Sequence, residues 1–159
     1  LNDKPVPLHA SCELRIGLRR KPVADTTKYY VARVTSKGTK YSVGGKYEDG
    51  FMKASIRELA TYTVALDTVP PEIIPVNKNL WGRNGKIVYR LKDEGAGIAS
   101  YRGTIDGEYA LFGRPNIVKS YWECVLDPKH VKKGGKHTVE MTVTDACGNQ
   151  TVSKETFVW

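Results

Sequence analysis

The stretch YTVALDTVPP, residues 62–71, decides how this chain is built. In its first half Tyr62, Val64 and Leu66 alternate with smaller or more polar residues. A period of two places every second side chain on one face, so the stretch predicts a β-strand with a buried face and a largely wet face.

The second half of the stretch predicts a domain boundary. Pro70 and Pro71 remove two backbone hydrogen-bond donors and hold the chain extended, which favours a short, stiff linker. We therefore expect one domain over residues 1–69 and another over residues 70–159. The first domain is small for a full sandwich, which suggests that it has lost an upstream strand.

The same alternation recurs along the chain, in residues 12–18, 87–91 and 139–143. Only residues 53–60 have a helix-like pattern, and residues 128–133 suggest a single turn. The sequence therefore predicts an all-β fold of two tandem antiparallel β-sandwich (immunoglobulin-like) domains, the second of which has room for seven strands.

Two Asp-Gly pairs predict tight hairpins, because both residues tolerate the positive φ that such turns need. The pair Gly44-Gly45 marks a further turn. The predicted hairpins join residues 99–105 to 108–112 through Asp106-Gly107, and residues 40–47 to 51–56 through Asp49-Gly50.

The composition is that of an ordinary globular protein: 159 residues, 40 % of them hydrophobic and 26 % charged. Disorder and collagen-like repeats are excluded, and no run approaches the ~18 apolar residues of a membrane helix. The chain starts at Leu1 without a signal segment, so we interpret it as a piece of something longer.

The net charge of +8 is spread over the chain, with 12 basic against 7 acidic residues before Pro70 and 13 against 10 after it. The densest basic runs, residues 19–21 and 132–133, are short and lack interleaved aromatic residues. They are typical of solvated loops, so we predict neither nucleic-acid binding nor membrane insertion.

The three cysteines form no CxxC pair, which argues against a zinc knuckle. If residues 121–127 pair with residues 137–146, Cys124 and Cys147 lie too far apart for a disulfide. We therefore expect free and mostly buried thiols at Cys12, Cys124 and Cys147.

The histidines do not predict a metal centre. His9, His130 and His137 belong to no HxH or HExxH motif, and no nucleophile elbow is present. We expect exposed or edge histidines, no catalytic residue and no cofactor in this segment.

The turn at residues 145–149 has two interpretations. Asp145 and Asn149 could supply oxygen ligands to calcium, with Asp93 or Glu94 nearby. Two adjacent ligands are few for calcium, so we favour a tight turn closed by Asp145 and Gly148-Asn149. The glycines of residues 93–98 also predict a turn.

Aromatic residues are the remaining candidates for ligand binding. Trp122 shares its parity with Cys124 and Leu126, so we predict that it packs between the sheets. Tyr121 has the opposite parity, and Trp81 lies in a predicted loop. Trp81 and Tyr121 therefore form the candidate ligand-binding surface.

Several of these motifs carry a family resemblance. Residues 62–71, 93–98, 101–107 and 142–149 resemble the C-terminal β-sandwich region of lysostaphin-like zinc metallopeptidases, which are cell-wall peptidases of Gram-negative gut bacteria. The resemblance spans roughly residues 40–159. It implies that a zinc peptidase domain with H-x-x-x-D and H-x-H motifs lies upstream, because this chain contains neither motif.

The resemblance implies a non-catalytic accessory region of a secreted peptidoglycan endopeptidase, located outside the cell, in the periplasm or at the cell surface. Its partners would be the upstream peptidase domain and peptidoglycan or a surface glycan. Two alternatives stay open: a carbohydrate-binding or adhesion module independent of any peptidase, and a structural spacer.

Overall fold

The computed structural model describes residues 4–18, 25–115 and 120–159. The basic run at residues 19–21 lies outside the described residues. Within them the chain is mostly β with antiparallel sheets, as the alternating pattern predicts. No helix in the described part of the chain has the length and apolar character needed to cross a membrane.

Contacts divide the chain into two compact units. The first comprises Leu1–Val69 together with the short segments Glu94–Gly97 and Ala146–Asn149. The second comprises Pro70–Asp93, Ile98–Asp145 and Gln150–Trp159.

The described residues of the first unit form two three-stranded sheets, with strand orders β1-β5-β4 and β3-β2-β6. A 3-10 turn, Thr26–Lys28, precedes β2, and the Asp25 carboxylate caps it at the Thr27 N–H. The strands are β1 (Val6–Gly17), β2 (Tyr29–Val34), β3 (Lys40–Gly44), β4 (Lys46–Glu48), β5 (Phe51–Leu59) and β6 (Thr61–Leu66).

The helix expected over residues 53–60 is wrong, because residues 53–59 belong to strand β5. Met52, Ala54 and Ile56 are buried while their neighbours are more exposed, which is a period of two. β1 and β4 hydrogen-bond to its two edges. Pairing on both sides therefore overrides the helical propensity of single residues.

The strand expected over residues 40–47 is divided in two at Gly44-Gly45. Both glycines have positive φ, and a Cβ on Gly45 would lie 2.9 Å from the Lys53 carbonyl oxygen. The turn lets β3 and β4 join different sheets.

In the second unit, the described strands form a three-stranded sheet, β11-β8-β7, and a four-stranded sheet, β10-β9-β12-β13. The 3-10 turn Lys78–Leu80 leads into the short helix α1, Trp81–Asn84. The strands are β7 (Glu72–Pro75), β8 (Lys86–Lys92), β9 (Ile98–Ile105), β10 (Glu108–Ala110), β11 (Tyr121–Val125), β12 (Lys136–Asp145) and β13 (Gln150–Val158).

A continuous apolar cluster fills the second unit, with Trp81, Tyr89, Phe112 and Met141 among its most buried members. Trp122 belongs to this cluster, as its parity predicts. Its ring meets Tyr101 edge-on at 5.8 Å between centroids.

Both predicted Asp-Gly hairpins are present. Asp106 and Gly107 have φ values of 51° and 89°, and β9 pairs with β10 across them. Asp49 and Gly50 have φ values of 53° and 84° and join β4 to β5. Residues 128–130 form the predicted turn, closed by N–H groups that donate to the Asp127 carbonyl.

The cysteines are free, as predicted. Cys124 and Cys147 are buried, but Cys12 is exposed on strand β1, which corrects the expectation of burial for this thiol. The strand pairing assumed for Cys124 is wrong, since β11 pairs with β8, and β12 pairs with β9 and β13.

Candidate functional site

The outer face of the β11-β8-β7 sheet in the second unit carries the candidate ligand surface. Alternation sends Ile87 and Tyr89 of β8 and Trp122 of β11 into the core. It sends Lys86 and Tyr121 to the opposite face. The sequence pattern thus places an aromatic and a charged residue on the same solvent-facing side of this sheet.

A groove of about 500 Å³ lies along this face, and we call it the outer groove. This volume is in the range of natural small-ligand sites. Its lining residues are Val76, Asn77, Trp81, Asn84, Lys86, Val88, Pro115, Tyr121 and Glu123.

The polar groups of the outer groove include an ion pair and an asparagine with a left-handed backbone. The Lys86 ammonium lies 2.8 Å from a Glu123 carboxylate oxygen, and both side chains are partly exposed. Asn77 adopts a left-handed conformation, with φ of 50°, that asparagine tolerates better than most residues. Amide, ammonium and carboxylate groups therefore line the same groove as the half-buried Tyr121.

Trp81 is not the exposed aromatic that its predicted loop position suggested. It is 1 % exposed, begins α1, and packs edge-on against Tyr89 and Phe157. Its indole N–H donates to the Val76 carbonyl at 2.9 Å. Trp81 thus borders the outer groove as part of the core, and Tyr121 is the aromatic residue available to a ligand.

His9 and His130 are exposed, as predicted, but the expectation is wrong for His137. His137 is 6 % exposed, with Nδ1 2.6 Å from an Asp106 carboxylate oxygen and Nε2 2.8 Å from the Lys132 carbonyl. Its parity with the buried Val139 and Met141 was the signal for burial. Because acceptors face both nitrogens, this ring is arranged to donate twice rather than to bind a metal.

The His137–Asp106 contact changes the acidity of both groups. Hydrogen bonding to Asp106 raises the pKa of His137, and the same contact lowers the pKa of Asp106. The other Asp106 oxygen accepts the Thr138 N–H at 2.8 Å. The pair therefore fixes the β9–β10 hairpin to the start of β12.

Asp67, at the end of β6, organises the first unit. It is 4 % exposed, and its carboxylate accepts the Ala96 N–H at 2.6 Å and the Val69 N–H at 3.1 Å. Its carbonyl accepts the Asn149 amide at 3.1 Å. Residues 67–69 and the segments Glu94–Gly97 and Ala146–Asn149 of this unit are therefore joined by hydrogen bonds.

The turn at residues 145–149 has the positive φ at Gly148 that was expected. The Ala146 N–H donates to the Gly97 carbonyl at 2.9 Å, and Lys28 donates to the Cys147 carbonyl. In the second unit, carboxylate oxygens of Asp93 and Asp145 lie within 4.8 Å of each other. This is close enough to share a cation, so the calcium interpretation stays a hypothesis.

Comparison with known families adds one match. The Zu5-like domain family matches residues 1–67, which include β1 to β6. No curated protein matches the chain. Neither result connects it to lysostaphin-like peptidases.

Proposed function

We propose that this chain is a non-catalytic accessory region of a secreted lysostaphin-like cell-wall peptidase, and that its second unit contacts wall glycan through the outer groove. In this proposal residues 1–69 and 70–159 are tandem sandwich domains, the second of them immunoglobulin-like. The parent would act outside the cell, in the periplasm or at its surface. Zinc would belong to an upstream peptidase domain.

The observation that carries the proposal is the composition of the outer groove. Sugar rings present apolar C–H faces that stack on aromatic rings, and hydroxyl groups that need donors and acceptors at the rim. Tyr121 offers the ring, while Asn77, Asn84, Lys86 and Glu123 offer the polar groups. The net charge of +8 favours association with the anionic polymers of a cell wall.

The geometry of His137 argues against a zinc-ligand role for this residue. A catalytic zinc needs several converging ligands and an open position. His137 already faces an acceptor at each ring nitrogen. In this proposal peptide cleavage belongs to the upstream domain that the family resemblance implies.

Binding to insoluble peptidoglycan tests the glycan contact. Tyr121→Ala should reduce the bound fraction at least about fivefold, the effect of losing one aromatic anchor. Tyr41→Ala is the matched control, because Tyr41 is 52 % exposed on β3 of the first unit. Failure of the unmodified chain to bind, or equal loss in both variants, would contradict the proposal.

Further experiments distinguish the non-catalytic peptidase region from a catalytic chain, an adhesion module and a spacer. Release of muropeptides by the purified chain with zinc would overturn the non-catalytic assignment. A sequence upstream of Leu1 with H-x-x-x-D and H-x-H would support the peptidase parent, whereas its absence together with glycan binding would favour an independent adhesion module. No ligand on a glycan array, together with a fixed two-lobed scattering envelope, would favour a spacer.

A further inference from the structure

A second groove in the second unit differs from the outer groove in chemistry. Its volume is about 410 Å³, and it lies between strands β10 and β11, each at the edge of its sheet. We call it the edge groove. Its lining includes the buried side chains of Ile105, Leu126 and Val131, which form an apolar floor.

The walls of the edge groove are also apolar, although they face water. Tyr109 is 63 % exposed, Leu111 71 % and Val125 74 %. Large apolar side chains grouped in this way around a groove are typical of an interaction site rather than of an ordinary wet surface.

The rim of the edge groove is acidic in a basic chain. Glu108 and Asp127 line it together with Glu123, whose carboxylate is paired with Lys86, and among the described lining residues there is no lysine or arginine. The whole chain carries +8. The charge of this groove therefore complements a cationic partner and opposes an anionic one.

The backbone of β11 offers a place for an added strand. Leu126 donates its N–H to Gly85 on the β8 side, at 2.9 Å, while the Glu123 N–H and carbonyl exchange hydrogen bonds with Gly113 on the other side, each 2.8 Å long. Because successive residues of an antiparallel strand point their backbone groups in opposite directions, those of Val125 point away from β8 like those of Glu123.

We propose that the edge groove binds an extended peptide that alternates apolar and basic residues, and that this peptide pairs with the β11 edge at Val125. Its apolar side chains fill the floor between β10 and β11. Its lysine or arginine side chains reach Glu108 and Asp127. This is strand addition, in which backbone hydrogen bonds give affinity and side-chain pockets give selectivity.

The test uses synthetic seven-residue peptides that alternate valine with lysine, measured by fluorescence anisotropy against the full chain. A matched peptide with glutamate in place of lysine should bind at least about tenfold more weakly, because the rim then repels it. A Val-Lys peptide with N-methylated central amides should lose a similar factor, because it cannot pair with a strand edge. Equal binding of all three peptides, or none by the Val-Lys peptide, would overturn the proposal.

Variants locate the binding on the chain. Val125→Lys should weaken Val-Lys peptide binding about tenfold, since it blocks the edge and adds a like charge. Val152→Lys is the matched control, because Val152 is also an exposed valine, 53 % exposed, on β13. Equal effects of both variants would place the binding elsewhere and overturn the proposal.

Sedimentation of the chain alone tests the competing occupant, a second copy. Concentration-dependent dimers that Val125→Lys abolishes would assign the groove to self-association instead. Tyr121→Ala should leave Val-Lys peptide binding unchanged, so failure of the edge-groove proposal and failure of the proposed glycan contact are distinguishable.

Discussion

Strand β2 of the first unit and strand β12 of the second unit are both central in their sheets, but they are buried differently. On β12 every second residue from His137 to Asp145 is buried and the residues between them are half-buried. On β2 three consecutive residues, Tyr30, Val31 and Ala32, are all buried. Alternating burial indicates one packed face, and consecutive burial indicates two.

The difference follows from what covers each face. Val31 packs with Met52 and Ala54, whereas Tyr30 and Ala32 pack with Ala96 and Cys147, which come from distant parts of the sequence. The distant segments are held by polar contacts at Asp67 and Lys28. The second unit instead depends on one continuous apolar cluster. The first unit should therefore be sensitive to polar changes, and the second to changes of core volume.

Substitutions at two glycines test this difference between the units, and we expect them to lower the free energy of unfolding the most. A Cβ on Gly95 would lie 2.0 Å from the Asp67 carboxylate, and a Cβ on Gly103 would lie 2.3 Å from the Phe112 ring. We expect Gly95→Ala to cost about 2–3 kcal/mol through overpacking and weakened hydrogen bonds, and Gly103→Ala about 1–3 kcal/mol through overpacking alone. Hydrogen exchange followed by mass spectrometry should show faster exchange in β2 and β6 for the first variant, and in β8 and β12 for the second.

Gly113→Ala is the control for both variants, because a Cβ there would meet no atom within 4 Å. We expect a change of less than about 0.5 kcal/mol. If Gly95→Ala left exchange in β2 and β6 unchanged, the Asp67 contacts would not stabilise the first unit.

The two Asp-Gly hairpins should differ in how their contribution to stability depends on pH. Asp106 contacts the buried His137, whereas Asp49 contacts Lys53 at 3.0 Å and is itself exposed. Because the folded pKa of His137 is raised above its usual value of 6.5, its stabilisation is fully present below pH 6.5 and is lost as pH rises through the folded pKa. The pKa of Asp106 is lowered, so its stabilisation is present above pH 3.8 and is lost as pH falls through its folded pKa.

We therefore expect the chain to be more stable at pH 6 than at pH 8.5 through this pair. The Asp106 side chain is 49 % exposed, so solvent screens the contact and the difference should be on the order of 1 kcal/mol. Asp106→Asn keeps the turn, because asparagine tolerates positive φ, but should flatten the pH dependence of thermal unfolding. Asp49→Asn should leave it unchanged, and a flat profile in the unmodified chain would contradict the assignment.

The sequence predicted the strands well because alternation is a local property. Residues 62–66, 87–91 and 139–143 are strands, and both Asp-Gly turns are present. The partners of each strand were harder to predict, since the pairing of β11 with β8 depends on contacts between residues far apart in the sequence. The helical expectation for residues 53–60 failed for the same reason.

For the candidate sites, the position of a residue in the alternating strand pattern was more informative than the type of segment predicted around it. The alternation correctly places Tyr121 on the outer face of its sheet. It also indicates burial of His137, although the absence of metal-binding motifs favoured an exposed or edge position for that residue. Loop context misplaced Trp81, since the direction of its ring depends on α1 docking against Phe157. The edge groove combines residues from β10, β11 and the following loop, so no single stretch of sequence predicted it.

One tyrosine in each unit allows a further comparison, for which we expect the smallest changes in the free energy of unfolding. The Tyr62 hydroxyl donates to the Glu58 carbonyl at 2.8 Å, whereas the Tyr89 hydroxyl is buried without a hydrogen bond of normal geometry among the described residues, although the Ser153 side chain lies nearby. Burial raises the pKa of Tyr89, and the nearby Ser153 opposes part of that rise. Removing a hydroxyl that is satisfied costs a hydrogen bond, and removing one that is unsatisfied relieves a desolvation penalty.

We therefore expect Tyr62→Phe to lower the free energy of unfolding by about 0.5–1.5 kcal/mol, and Tyr89→Phe to raise it by up to about 1 kcal/mol. Urea unfolding of the two variants, with unchanged m-values, measures both. Phenylalanine keeps the ring packing in each case, so the hydroxyl alone is compared. A loss of stability in Tyr89→Phe as large as in Tyr62→Phe would mean that the hydroxyl in the second unit has a polar partner in solution, and that the second unit, like the first, depends on buried polar contacts.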